Sequence, residues 1–469
     1  MKRPPAVPGA VEPLMRPVDE LPDPLVIPTA PCKDGQYRAQ ADITPPGSKS
    51  LTNRAIFLAA LGHGASTLRG ALLDADDAAV MIESVQRLGA GVQRVGTTLR
   101  IEGVGGCWRV PPEGVTLALG NAGTATRFLA AGALRSPGPI TLDGDARMRQ
   151  RPIGELAGIL AALGCGVEYQ GTPGCPPVRV TPPKAAPASR GVIELGQTAS
   201  SQFVSALLLT APFIGGITLK LRGEVTSPTY IAMTLGLLAE LGVEVRSSDD
   251  ARVLRVGAKA DLGGFAYDVE PDASGATYWW GAGAILPGAS IRVLGLGERS
   301  LQGDAQFPEV LARMHCRVTR REQPASIEVT APAALRPVLA DMSEMPDAAM
   351  TLAAVACFAE GTSILRGLRT LRVKESDRIE ALRSQLTRVG VRVENPVQGD
   401  RDALTITPPE GGLGAGPFPR VEFETFNDHR VAMALSLLAL RRPNCAIRNP
   451  ACVAKTYPTY WAEFARLLR

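Results

Sequence analysis

Residues 159–170 read ILAALGCGVEYQ, a helix of small and apolar residues that stops at a glycine and passes into an alternating strand. The same pattern stands at 85–95 (VQRLGAGVQRV), 237–246 (LLAELGVEVR) and 385–394 (QLTRVGVRVE). Apolar residues recur at helical spacing before the glycine and at alternate positions after it. A glycine just beyond a helix suits a left-handed C-cap, where a side chain costs energy. LARMHCRVTRR at 311–321 is a degenerate copy with His315 and Cys316 at the turn, and YWAEFARLLR at 460–469 is a sixth helix with no strand after it.

A second element recurs out of phase with the first: a polar cluster, a helix of small and apolar residues, a turn and a strand. Its copies are GSKSLTNRAIFLAAL (47–61), GNAGTATRFLAAGAL (120–134), TASSQFVSALLLTAP (198–212), DASGATYWWGAGAIL (272–286), PDAAMTLAAVACFA (346–359) and NDHRVAMALSLLAL (427–440). Strands are predicted to begin near Ser66, Ile140, Ile217, Ile291, Ser363 and Cys445, a period of roughly 70 to 80 residues. That exceeds solenoid repeats and implies a βα subdomain per copy, hence an α/β protein.

The apolar bodies of these helices read as core. Their starts carry Ser, Thr, Asn, Asp and Gln together with Lys49, Arg54, Arg127, His429 and Arg430, which is more than capping requires. Helix N-termini offer free N–H groups and a positive dipole end, so several facing one cleft would bind anions. This points to a substrate bearing phosphate or carboxylate.

Composition narrows the classes. The 469 residues are 45% apolar and 20% charged, enough for a large core and two lobes. A net charge of +4 with 5% aromatic residues gives no stacking surface for nucleic acid. Eight scattered cysteines form no CxxC pair, and three distant histidines give a metal site little support. The proline-rich first 37 residues have no apolar signal-peptide core and read as a flexible, non-catalytic extension. The most apolar run, Ser205 to Leu219, contains Pro212, Gly215 and Gly216 and is too short to span a bilayer. A cytoplasmic protein with no membrane partner is expected.

Several motifs carry candidate chemistry. PGSKSLTNRA at 46–55 lacks the GxxxxGK[ST] spacing of a phosphate loop, but Arg54 lies one turn beyond Ser50 and can face the same anion. RVKESDRIEAL at 372–382 sets Lys374 and Arg378 four residues apart with Glu375 and Asp377 between, a pattern suited to anion binding and proton transfer. FNDHRVAM at 426–433 puts His429 and Arg430 at a helix start, and RMRQRPIGEL at 147–156 places three arginines around a proline turn. Each motif taken singly also fits a capped helix start or a solvated charged face.

In this order and at this spacing, the motifs resemble the 3-phosphoshikimate 1-carboxyvinyltransferase family, the enolpyruvylshikimate phosphate synthases, from about Tyr37 onward. The resemblance implies an enolpyruvyl transferase fold: six βαβαββ units, three per lobe, with the active site in the interdomain cleft. One lobe would span 48–268 and the other 38–47 plus 269–469, with 1–37 as the extension. The implied substrates are phosphoenolpyruvate and shikimate 3-phosphate, with no metal or organic cofactor. A monomer that closes on its anionic substrates is expected.

By the same resemblance, Lys49, Ser50 and Arg54 match contacts to shikimate phosphate, with Lys49 also near phosphoenolpyruvate. Ser200, Ser201 and Gln202 of ASSQF match its 3-phosphate cradle, aided by Ser227 and Tyr230 of SPTY, and Lys374 belongs to the same ligand. Asn121 and Gly123 of LGNAGTATR, Arg151, Gln202, Arg378, Arg430 and Lys455 match the phosphoenolpyruvate side. Asp347 of MPDAAM corresponds to the base for the shikimate 5-hydroxyl, and Lys49 and Glu375 to proton transfer at C3, with His429 beside them. Thr370 departs from the pattern, standing where relatives often carry asparagine, which leaves its substrate contact open. The run Gly123, Thr124, Ala125 resembles glyphosate-sensitive members. Sister enzymes that act on UDP-N-acetylglucosamine usually carry a reactive cysteine in the loop matching GDARMRQRPIGEL, and residues 144–156 contain none. A catalytically dead anion-binding repeat protein would have lost Lys49, Asp347 or Glu375, and all are present.

Overall fold

A computed structural model of the protein describes residues 11–184, 192–413 and 418–469. The chain forms two compact units, one of Gly47–Glu270 and one of the residues up to Pro46 with Pro271–Arg469.

The helix-to-strand turns follow from their glycines. Gly89, Gly164, Gly242 and Gly390 all adopt left-handed φ between 71° and 100°, and His315 takes the same turn at φ 71° in the degenerate copy. Only a residue there tolerant of positive φ lets the helix end and the strand start without strain.

In the unit Gly47–Glu270, each copy is a four-stranded sheet with one parallel pair followed by two antiparallel steps. Strand Ile140–Asp143 pairs in parallel with Val115–Ala118 and antiparallel with Val178–Thr181, which pairs with Gly166–Tyr169. Strands 192–195, 217–221, 253–256 and 245–247 repeat the order, as do 266–268, 65–69, 98–102 and 91–95. The inner helices Lys49–Leu61, Gly123–Gly132 and Ser201–Thr210 are buried almost throughout, because apart from Asn53, Arg54 and Arg127 their buried residues are small or apolar on every side. Outer helices such as Asp76–Arg87 bury one face only.

The other unit repeats the plan with inner helices Ala273–Ile285, Ala349–Ala356 and His429–Ala439, every residue of which is buried. Its sheets run 317–322, 325–330, 290–294, 40–43 and 339–341, 363–366, 404–407, 392–394. The third sheet pairs Val421–Phe423 in parallel with Cys445–Ile447, whose other edge is taken antiparallel by Leu25–Ile27.

That last strand corrects the expected flexible extension at 1–37. Residues 1–10 lie outside the described residues, but Leu14, Leu25, Ile27 and Ala30 are buried in the core with Tyr37. Leu25–Ile27 pairs with Cys445–Ile447 as 404–407 pairs with 363–366, which is why an aperiodic, proline-rich stretch is nonetheless ordered. Among the described residues, no helix is long and apolar enough to cross a membrane.

Candidate active site

In the unit Gly47–Glu270 the polar clusters are both caps and candidate ligand groups. Ser48 caps the helix Lys49–Leu61 by accepting from Leu51 N–H. The Lys49 ammonium lies 3.5 Å from Asp77, with side chains 13% and 3% exposed, so it is tethered but not covered. Ser200 caps the next helix through Gln202 N–H, while Gln202 Nε2 donates to Thr124 Oγ1 at 3.2 Å. Two inner-helix starts therefore meet there. Ser201 is buried beside them. Ser227 precedes the helix Pro228–Glu240, which carries Tyr230, at φ 45° and ψ 64°, a left-handed conformation that a side chain makes costly.

Arg151 lies against the start of the helix Gly123–Gly132. Its Nη1 donates to the carbonyl and to Oδ1 of Asn121, at 3.1 and 2.9 Å. A Cβ on Gly123 would come within 2.5 Å of Arg151 Nη2, so the glycine makes room for the guanidinium. Arg151 Nε is buried with no hydrogen-bond partner among the described residues, leaving a donor for a ligand.

Arg54 is different. Nε donates to Thr234 Oγ1 at 2.8 Å, Nη1 to the Ser50 carbonyl at 2.9 Å, and Nη2 to Ser205 Oγ and the Tyr230 carbonyl at 3.2 Å each. Burial pushes its pKa down to about 10. It thereby ties three helices together and holds Ser50 and Tyr230 in place.

In the other unit the helix starts meet in a charged knot. Arg378 is fully buried: Nε and Nη2 grip Asp428 at 2.8 and 3.0 Å, Nη1 reaches Asp347 at 2.9 Å, and Nη2 reaches Glu375 at 2.9 Å. Burial opposes its charge, but the carboxylates of Asp428, Glu375 and Asp347 outweigh that and hold its pKa above the ordinary arginine value. Asp347 also receives Arg430 at 3.0 Å and Lys374 at 3.4 Å. Burial lowers the Lys374 pKa, partly offset by Asp347. Three cations thus face three carboxylates.

Asp428 caps the helix His429–Ala439 through Arg430 N–H, and His429 is fully enclosed with Nδ1 3.7 Å from Asp428. Phe426 and Asn427, just before, both adopt left-handed φ, at 55° and 53°. Lys455 is 9% exposed at the end of the turn Pro450–Lys455. Thr370 Oγ1 is buried with no hydrogen-bond partner among the described residues, so the hydroxyl that departs from the family pattern has its bonding capacity in reserve. Sequence reading did not single out Asp77 or Asp428, and it named Thr124 only within the run Gly123, Thr124, Ala125. Asp428, inside the quoted NDHR, and Asp77, in the first turn of Asp76–Arg87, each had a local signal as an aspartate at a helix start.

Two units of three α/β repeats, each gathering cationic and hydroxyl groups at its inner-helix starts, define the class: a two-unit α/β repeat scaffold with charged and polar inner-helix starts. Residues 33–464 match the family model of EPSP synthase (3-phosphoshikimate 1-carboxyvinyltransferase). The chain is 42% identical to the 3-phosphoshikimate 1-carboxyvinyltransferase of Thiobacillus denitrificans and 40% to that of Laribacter hongkongensis, each over 440 residues, 93% of this chain and 98% of the relative. An EPSP synthase structure from Acinetobacter baumannii superposes with a TM-score of 0.73 at 25% identity, covering 94% of this chain and 97% of that one. The protein belongs to the EPSP synthase family.

Proposed function

We propose that the protein transfers the enolpyruvyl group of phosphoenolpyruvate to the 5-hydroxyl of shikimate 3-phosphate, releasing phosphate, in aromatic amino-acid biosynthesis. Besides family membership, the observation that carries this reading is the Asp347 knot, in which one carboxylate meets Arg378, Arg430 and Lys374 beside a second acid, Glu375. Such a site can hold anions and move protons in one place.

The 5-hydroxyl oxygen adds to C2 of phosphoenolpyruvate while C3 gains a proton, giving a tetrahedral phospho-ketal. Loss of a C3 proton then expels inorganic phosphate and restores the double bond. Asp347 takes the hydroxyl proton, and Lys49 and Glu375 deliver and remove the proton at C3. Arg151, Arg430 and Lys455, with Asn121, Gly123 and Gln202, bind phosphoenolpyruvate. Ser50, Ser200, Ser201, Gln202, Ser227, Tyr230, Thr370 and Lys374 bind shikimate 3-phosphate.

Arg54 holds Ser50 and Tyr230, and Arg378 holds Asp347 and Glu375; the second Nη1 hydrogen of Arg54 serves shikimate 3-phosphate and that of Arg378 serves phosphoenolpyruvate. His429, fully enclosed at the same helix start with Nδ1 3.7 Å from Asp428, steadies that start beside Arg430. The enzyme works in this reading as a cytoplasmic monomer, which sedimentation and cell fractionation would check.

Turnover in heavy water tests the chemistry. Addition followed by elimination passes C3 through a methyl group, so deuterium should enter the vinyl methylene of the product. Product formed with no deuterium at C3 would overturn the mechanism.

A further inference from the structure

A seventh charged residue borders the knot and has no part in the reaction above. Asp304 lies in the short 3-10 turn Gly303–Gln306, packed on the start of the helix Ala273–Ile285. It is 4% exposed. Its Oδ2 accepts a hydrogen bond from Ser274 Oγ, and its Oδ1 is buried with no hydrogen-bond partner among the described residues.

The groups facing it can be named element by element. Asp272 and Ser274 come from the cap and first turn of the helix Ala273–Ile285, Asp347 from the turn Pro346–Ala348, and Arg430 from the start of His429–Ala439. Arg430 is already bonded to Asp347 at 3.0 Å. The knot itself balances, with Arg378, Arg430 and Lys374 against Asp347, Glu375 and Asp428. A fourth carboxylate charge would have two carboxylates and one occupied arginine for neighbours, and a bare oxygen out of reach of water. Burying such a charge is expensive, whereas a neutral carboxyl asks far less of its surroundings.

We propose that Asp304 stands in the resting site as a neutral carboxylic acid, and that its ionisation sets an alkaline limit on the binding of phosphoenolpyruvate by drawing on Arg430. The charge state follows from the geometry, and burial with the nearby Asp347 pushes the pKa in the same direction, to about 7. The functional half rests on the placement of Arg430 on phosphoenolpyruvate in the reading above. Asp304 touches no reacting atom in this account; it is a positioning residue acting through Arg430. Ionisation releases one proton to solvent and leaves one added negative charge beside the arginine. That charge competes with the substrate anion for the guanidinium.

Two measurements test this. Difference infrared spectroscopy of the full-length protein between pH 6 and pH 9 should show a protonated-carboxyl band that disappears with rising pH in the wild type and is missing in Asp304→Asn. A wild type with no such band overturns the assignment, whatever the protein catalyses. The Michaelis constant for phosphoenolpyruvate should rise roughly tenfold across the same range in the wild type, the order expected for one added charge in a poorly hydrated site. Any effect of the Lys374 ammonium, whose pKa burial lowers, is common to both proteins, so the difference between them isolates Asp304. In Asp304→Asn the rise should shrink. If Asp304→Asn does not fold, Ser274→Ala serves: losing the Ser274 donor removes a bond that favours the ionised form, so the rise should move to higher pH. A rise unchanged in Asp304→Asn, or unmoved in Ser274→Ala, sinks the proposal. If phosphoenolpyruvate is no substrate at all, the infrared band still reports on Asp304, and the two failures are told apart.

Discussion

Removing residues 1–36 should unfold the unit that contains Pro271–Arg469. Leu14 and Leu25 are fully buried and Ile27 is 2% exposed. At about 1.5–3 kcal/mol for each large aliphatic side chain, they contribute roughly 5–9 kcal/mol, as an upper estimate. Strand Leu25–Ile27 also pairs with all of Cys445–Ile447, leaving one edge of that strand unpaired when it is lost. The total is comparable to the whole stability of an ordinary domain, about 5–15 kcal/mol. A finer probe is Leu25→Ala, which should cost about 2–5 kcal/mol, lowering the melting temperature by roughly 5–15 °C in a unit of this size. Val26, 53% exposed in the same strand, is the control: Val26→Thr should stay within about 0.5 kcal/mol. Hydrogen exchange at Cys445–Ile447 shows whether the loss is local to that sheet. A chain starting at Tyr37 that keeps the melting temperature and turnover of the full protein would refute the packing argument.

Glu375→Gln keeps size but removes the base, so kcat should fall by roughly 10²–10⁴-fold while shikimate 3-phosphate affinity, followed by fluorescence titration, hardly changes. Near-normal kcat would make Glu375 only a partner of Arg378. Gly123→Ala forces its methyl group against Arg151 Nη2 and should raise the Michaelis constant for phosphoenolpyruvate about tenfold or more, the worth of one charged hydrogen bond; an unchanged constant would mean the guanidinium moves aside freely. Asp304 should also leave a mark on stability. With its pKa raised from 3.8 to about 7, its contribution is fully present below about pH 4 and is lost as pH rises through 7. Asp304→Asn should therefore melt above the wild type at pH 8, by at most about 4 kcal/mol, and converge with it near pH 4. A gap independent of pH would show that Asp304 does not titrate in that range.

The repeats were legible because their signals are local. Four glycine turns and their flanking periodicities announce helix and strand, and even His315 in the degenerate copy takes the left-handed turn the pattern demands. Helix-start residues were legible as anion-binding groups for the same reason. What sequence could not reveal was pairing across distance. Leu25–Ile27 is three residues long among prolines, and only the vacant edge of Cys445–Ile447, some 420 residues later, makes it a strand. Arg54 and Arg378 look like free cations in sequence, and their enclosure depends on Thr234, Ser205 and Asp428 arriving from other elements. Asp304 carries no motif; its character comes from burial beside Asp347.

The central claim is the identity of the acceptor, and phosphate release from phosphoenolpyruvate measures it directly. With shikimate 3-phosphate as acceptor, inorganic phosphate should appear in step with the enolpyruvyl product, and Asp347→Asn should abolish both. With UDP-N-acetylglucosamine at the same concentration, release should stay at the rate seen with no acceptor. Turnover with the nucleotide sugar and none with shikimate 3-phosphate would contradict the account.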